Sequence, residues 1–130
     1  MRKLLTLIAT VIMIGATLLS GSAQAASDSP FLGTWTSVDT DGSNQWLRIN
    51  GGGSDNYAMF LYDDSASVCG GAPARFTGSG TADGDTLIFR GTLTCAGGGN
   101  VIRERLALEF ELDSGADTLT DFSGVVWQRS

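Results

Sequence analysis

The segments ARFTGSGT (74–81), DGD (83–85) and TLIFRGTLTC (86–95) decide how this chain folds. In the last of them Leu87, Phe89, Leu93 and Cys95 share one face with Gly91, while Arg90, Thr92 and Thr94 share the other. Successive side chains of a strand point to opposite faces, so this alternation describes a strand with one face in a core. Asp83-Gly84-Asp85 is a tight-turn signal, because glycine takes the left-handed backbone that a short hairpin needs. The pattern predicts an antiparallel pair, Ala74–Thr81 with Thr86–Cys95, the first strand thinned by Gly78 and Gly80.

The same grammar runs outward in both directions. Upstream are strands over Phe31–Val38, Asn44–Asn50 and Asn56–Asp63. They are separated by the Asp39–Ser43 turn and the Gly51–Asp55 turn. A longer loop, Asp64–Pro73, carries Cys69. Downstream, the glycine loop Ala96–Asn100 leads to Val101–Leu112. Here Arg103, Glu104, Arg105 and Ala107 suit a helix, but Ile102, Leu106, Leu108, Phe110 and Leu112 fall on one face at period two, so a strand is expected. Asp113–Asp117 turns into Thr118–Asp121, and Val125–Arg129 ends the chain. Turn signals every 8–12 residues mark an all-β sandwich or barrel. Each strand can pair with its sequence neighbour, so the fold expected is an antiparallel up-and-down meander of seven or eight strands. Closure into a small barrel would remove the exposed edges.

The first 25 residues read differently. Arg2 and Lys3 precede an apolar run, Leu4–Leu19, and Ala23-Gln24-Ala25 provides small residues at a cleavage site. The run is shorter than the roughly 20 residues that span a bilayer. A signal-peptide helix, cleaved after Ala25, is expected, leaving residues 26–130 as one secreted or periplasmic domain with no membrane span. Loss of the leader leaves six Arg, no Lys and 14 acids, a formal charge of −8. Such a surface is poor for nucleic acid, whose affinity comes from dense basic contacts. Two cysteines in an exported chain, Cys69 and Cys95, read as one disulfide.

Much chemistry is excluded by composition. The chain has no His, so neither a Ser/His or Cys/His nucleophile pair nor a histidine-held zinc can form. The tracts Gly51–Gly53 and Gly97–Gly99 lack the Lys and the helix of a phosphate loop. The paired acids Asp39/Asp41, Asp63/Asp64 and Asp83/Asp85 fall in turns, where Asp caps its own backbone; no enzyme and no cofactor are expected. Asp39, Asp41 and Asn44 have the alternating oxygen spacing of part of a calcium loop, but lack its distal Glu, and a plain hairpin turn is the preferred reading. Glu104 is the one charge on the inner face of Val101–Leu112. In a barrel mouth it would need a partner such as Arg48, Arg75 or Arg90.

Phe31-Leu32-Gly33-Thr34-Trp35 opens the mature chain with a Gly-x-Trp, and Trp127-Gln128-Arg129 ends it. Together these resemble the calycin-type barrels, the lipocalins and avidins. The resemblance implies structural roles for three residues: Gly33 on the first strand, Trp35 plugging the closed end of an eight-stranded meander, and Arg129 packing across that Trp. It implies no particular ligand. The small bacterial inhibitors of secreted metalloproteases also share an early Gly-x-Trp and one disulfide. Their disulfide lies nearer the N-terminus, and they carry a longer N-terminal trunk than Ala26–Pro30.

Function is therefore expected to be non-enzymatic. The leading expectation is a small apolar or amphipathic ligand held inside the barrel by Tyr57, Met59, Phe60, Leu61, Phe89 and Phe110, with Glu104 and an Arg as polar contacts. The alternative is a protein-interaction module, inhibitor-like or part of an envelope or adhesion system, with a solidly packed interior and a protein partner.

Overall fold

Asx and glycine turns divide the chain into eight strands. They are β1 (Gly33–Val38), β2 (Asn44–Asn50), β3 (Asn56–Asp63), β4 (Ala74–Asp83), β5 (Thr86–Cys95), β6 (Arg103–Asp113), β7 (Thr118–Asp121) and β8 (Val126–Arg129). The computed structural model describes residues 29–51, 55–96 and 103–130. Residues 1–28, 52–54 and 97–102, which include the expected signal-peptide helix, parts of the expected glycine turns and Val101 and Ile102 of the expected sixth strand, lie outside the described residues. Every strand pairs antiparallel with the next, and β8 returns to β1 through Trp35↔Arg129 and Thr36↔Gln128, closing a barrel. The first strand starts later than expected. Leu32 N–H donates to Ser29 O at 3.1 Å, holding Phe31 and Leu32 in a turn. β4 instead runs on to Asp83, which pairs with Thr86.

Register sets the height of each side chain. The inner row Trp35, Leu47, Leu61, Phe76, Leu93 and Glu104 consists of directly opposed residues on β1 to β6. Strands in a closed barrel are staggered. The row therefore starts beside the N-terminal segment, at the bottom, and climbs to the mouth at Glu104. A second row, Ile49, Met59, Gly78, Gly91 and Leu106, passes through two opposed glycines. There β4 and β5 approach so closely that a methyl group on Gly78 would overlap the Arg90 carbonyl, and one on Gly91 the Thr77 carbonyl. This pair lets the wall curl sharply.

The lower barrel is packed solid. Trp35, Leu47, Leu87, Phe89 and Leu119 are completely buried. Phe76 and Phe89 have ring centroids 4.2 Å apart. Burying each such side chain contributes about 1.5–3 kcal/mol. The bottom is sealed by Phe31, whose carbonyl accepts the Trp35 indole N–H at 3.0 Å. Cys69 and Cys95 are bonded, tying the β3–β4 loop to the end of β5 at the mouth.

Candidate functional site

Strand parity brings a polar ring to the mouth. Gln45 is in phase with inward Leu47 and Ile49, Asp63 with Tyr57, Met59 and Leu61, and Asp121 with Leu119. Ser37, Gln45, Asp63, Ala74 and Cys95 are opposed in one row across β1 to β5. Its polar members are linked. Ser37 Oγ donates to Gln45 Oε1 at 2.9 Å, and Gln45 Nε2 donates to Asp39 Oδ2 at 3.2 Å and to Asp63 Oδ2 at 3.0 Å.

Asp63 and Asp121 are held by the turns they begin. Asp63 Oδ1 accepts from Ser65 N–H at 3.0 Å. Asp121 Oδ1 accepts from Ser123 and Val125 N–H at 2.9 and 3.1 Å, and its Oδ2 accepts from the Trp127 indole at 3.1 Å. An Asp that caps the N–H two residues on is a common turn device. At these strand ends it also aims carboxyl groups into the barrel. Asp63 is 6% exposed.

Below this ring is a cavity of about 220 Å³, open at the mouth. Its wall is apolar, with Leu61, Phe76, Leu93, Leu106, Leu108 and Phe110, and Trp127 closes one side. Asp39, Gln45, Asp63 and Asp121 supply its polar contacts, together with Ser67 and Ser123; among the described residues no Arg or Lys lines it. Val68 and Phe122 stand at the rim, 52% and 74% exposed. The space is left in part by the small side chains of Ala66 and Ala74 in its wall.

The candidate residues separate into four places. Leu61 and Phe110 line the cavity. Tyr57, Met59 and Phe89 are buried but lie in the packed part below it, and Tyr57 is bonded through its hydroxyl to Ser29. Phe60 is on the outer wall, its ring 4.9 Å from Trp46. Its even parity opposes the inward odd positions of β3, so it does not face the interior. Glu104 occupies an inner register position opposite Leu93 but is exposed at the rim, because the stagger carries its row out of the barrel there. Arg48, Arg75 and Arg90 all stand on the outer face, out of phase with their buried neighbours Leu47, Phe76 and Phe89, and cannot serve it inside. Asp39, Asp41 and Asn44 form a turn whose oxygens are used internally or by neighbours. Asp39 Oδ1 accepts from Thr40 N–H, Asp41 Oδ1 from Ser43 N–H, and the Asn44 amide donates to Asp64. Hydrogen bonds from Ser43 hold the Asp41 carboxyl below its ordinary range. Among the described residues no group of three or more acidic or Cys side chains is placed to hold a metal.

The sequence reading missed Gln45, Asp63 and Asp121. The signal was present: extending each strand's two-residue phase one step past its last hydrophobic residue places all three inside.

At the opposite end Arg129 gathers the bottom of the barrel. Its guanidinium carbon lies 4.1 Å from the Trp35 ring centroid. It forms a bidentate pair with Asp117 (Nε–Oδ2 2.8 Å, Nη2–Oδ1 2.9 Å) and donates to the carbonyls of Pro30 and Leu32. A Cβ on Gly33 would come 2.8 Å from its Nη1. Among the described residues the cavity opens at the other end, where Asp39, Asp63 and Asp121 ring it. Among the described residues no helix is long and apolar enough to cross a membrane. Comparison with known protein families, with characterised proteins and with solved structures gives no match for this chain.

Proposed function

We propose that this chain is an exported, non-enzymatic barrel of lipocalin or avidin type that binds one small amphipathic molecule in its mouth. The observation that carries the reading is the cavity: one-ended, apolar-walled and ringed by hydrogen-bond acceptors. Such a composition is usual for small-molecule sites. A cavity of about 150 Å³ accepts benzene, so the space of about 220 Å³ here suits a ligand of about ten heavy atoms. The polar end of that ligand is a donor or a cation, because three Asp side chains and Gln45 face it. The apolar end contacts Leu106, Leu108 and Phe110.

The test is native mass spectrometry of protein purified from its host, followed by titration with alkyl and aromatic amines, alcohols and acids of this size. Amines and alcohols are expected to bind and acids to bind least. Leu106→Trp, which fills the cavity, is expected to weaken binding on the order of tenfold. No co-purified molecule and no binding across the panel would overturn the reading.

A second reading, a protein-interaction module, is favoured by the solid lower barrel and by exposed Val68 and Phe122 at the rim. A pull-down from periplasm that recovers no partner, or recovers the same partner with Phe122→Ser, counts against it.

A further inference from the structure

Charge is segregated on the outside of this barrel. The acids gather in the turns and at strand ends, whereas Arg48, Arg75, Arg90 and Arg105 stand exposed on the outer faces of β2, β4, β5 and β6. Among the described residues none of these four has a hydrogen-bond or ion-pair partner, while Arg129 has several. In a chain with 14 acids this is a matter of placement, not of shortage. The outer acids of β6, Glu109 and Glu111, sit toward the closed end, and Glu111 accepts from Thr86 Oγ1 at 2.6 Å.

Arg90 opposes Ala107 and Thr92 opposes Arg105, so the two arginines are diagonal neighbours on adjacent strands. Diagonal positions lie about 7–8 Å apart, within reach of long side chains, and like charges so placed repel. Glu109 is the other diagonal neighbour of Arg90, but among the described residues it forms no ion pair with it. Between them runs a groove of about 560 Å³, with Thr77 and Thr92 beside it and its floor at Gly78 and Gly91. Arg48, Phe60, Thr77, Thr92 and Arg105 form one outer row across five strands. At about 4.8 Å per strand step the row is roughly 19 Å long. Trp46 extends it, packing on Phe60 at 4.9 Å and on Tyr62 at 5.8 Å.

We propose that this outer wall binds an acidic polysaccharide, its carboxylate or sulfate groups on Arg90, Arg105 and Arg48 and its sugar rings along the intervening hydroxyls and aromatic surface. The side chains proposed to contact the glycan, Arg48, Phe60, Thr77, Arg90, Thr92 and Arg105, are out of phase with the interior, although Leu106 borders both the groove and the cavity. A guanidinium offers paired donors that match such anionic groups. The order cation, aromatic, hydroxyl, hydroxyl, cation suits a polymer whose hydroxyls separate its charges. A nucleic acid carries a phosphate on every unit and calls for denser cations and for separate stacking platforms. Trp46 packs on Phe60 at 31° and on Tyr62 at 32°, so the three rings form one cluster and not a series of separate platforms.

The test is affinity electrophoresis of the folded chain in gels containing polygalacturonate, dextran sulfate, neutral dextran or single-stranded DNA. Retardation by at least one anionic glycan and none by neutral dextran is expected. The double variant Arg90→Gln/Arg105→Gln should weaken that retardation about tenfold and flatten its salt dependence by about two charges. Its unfolding midpoint should be little changed, because neither arginine has an ion pair to lose and the repulsion between them offsets the attraction of Glu109 for Arg90. No retardation by either anionic glycan, equal retardation by single-stranded DNA, or full retention in the double variant would each overturn the proposal. Amine binding in the cavity is the control, expected to be the same in the double variant.

Discussion

The guanidinium of Arg129 lies 4.1 Å from the centroid of the Trp35 ring while holding Asp117 with two hydrogen bonds. The first strand, the last strand and the β6–β7 turn meet in this one contact, and it seals the barrel opposite the cavity. Arg129→Ala removes a cation–π contact of about 1 kcal/mol and leaves two carbonyls without their donor. A loss of about 2 kcal/mol is expected, read as a lower urea midpoint with an unchanged slope. Arg129→Lys should recover only part, because an ammonium cannot make the bidentate pair.

The same pair makes stability depend on acid. The hydrogen bond from Arg129 holds the Asp117 carboxyl below its ordinary value of 3.8. The folded state then binds that proton less readily than the unfolded chain. The contribution is present above the unfolded value and is lost as pH falls through the lower folded value. Urea midpoints of the wild type should fall between pH 5 and pH 3, and Asp117→Asn should shrink that fall without abolishing it, since Asp41 is also held low.

The disulfide should matter at the mouth more than at the base. Cys69 and Cys95 are 26 residues apart, and opening such a loop costs about 3–4 kcal/mol. Cys69→Ala/Cys95→Ala should unfold earlier by that amount. It should also weaken the amine binding proposed for the cavity, because Ala66, Ser67 and Val68 line the cavity on the tethered loop. Amide hydrogen exchange should show new opening in 64–73 and little change in β7 and β8.

Gly78 and Gly91 are expected to tolerate no side chain. Each faces the other strand's backbone too closely for a Cβ, and flexible side chains cannot move aside to relieve it. Gly78→Ala and Gly91→Ala should each destabilise by about 3 kcal/mol, at the upper end of overpacking costs. Gly84→Ala, in a turn with nothing within 4 Å of its Cβ, should cost less, through its positive φ of 60° alone.

Five strands show how far period and punctuation reach. β2, β3, β5 and β7 lie where alternation and turn residues put them, and β6 is a strand although its Arg-Glu-Arg run favours a helix. Local propensity loses there because the Leu106, Leu108, Phe110 and Leu112 face gains its burial only at period two. The candidate site was less legible. Phe60 looked like a wall residue because β3 is apolar on both faces, so alternation could not say which one turns inward. Glu104 was correctly phased, yet phase carries no information about depth.

By itself the sequence determined the all-β class, the strand order, the pairing of two cysteines and the absence of histidine chemistry, because each follows from local pattern or composition. Only the tertiary structure decided which residues form the mouth. Barrel closure adds a stagger between strands, and the stagger sets how deep each inward side chain sits: it leaves Tyr57 and Phe89 in packed core, carries Glu104 out to the rim, and brings Gln45, Asp63 and Asp121 around one cavity.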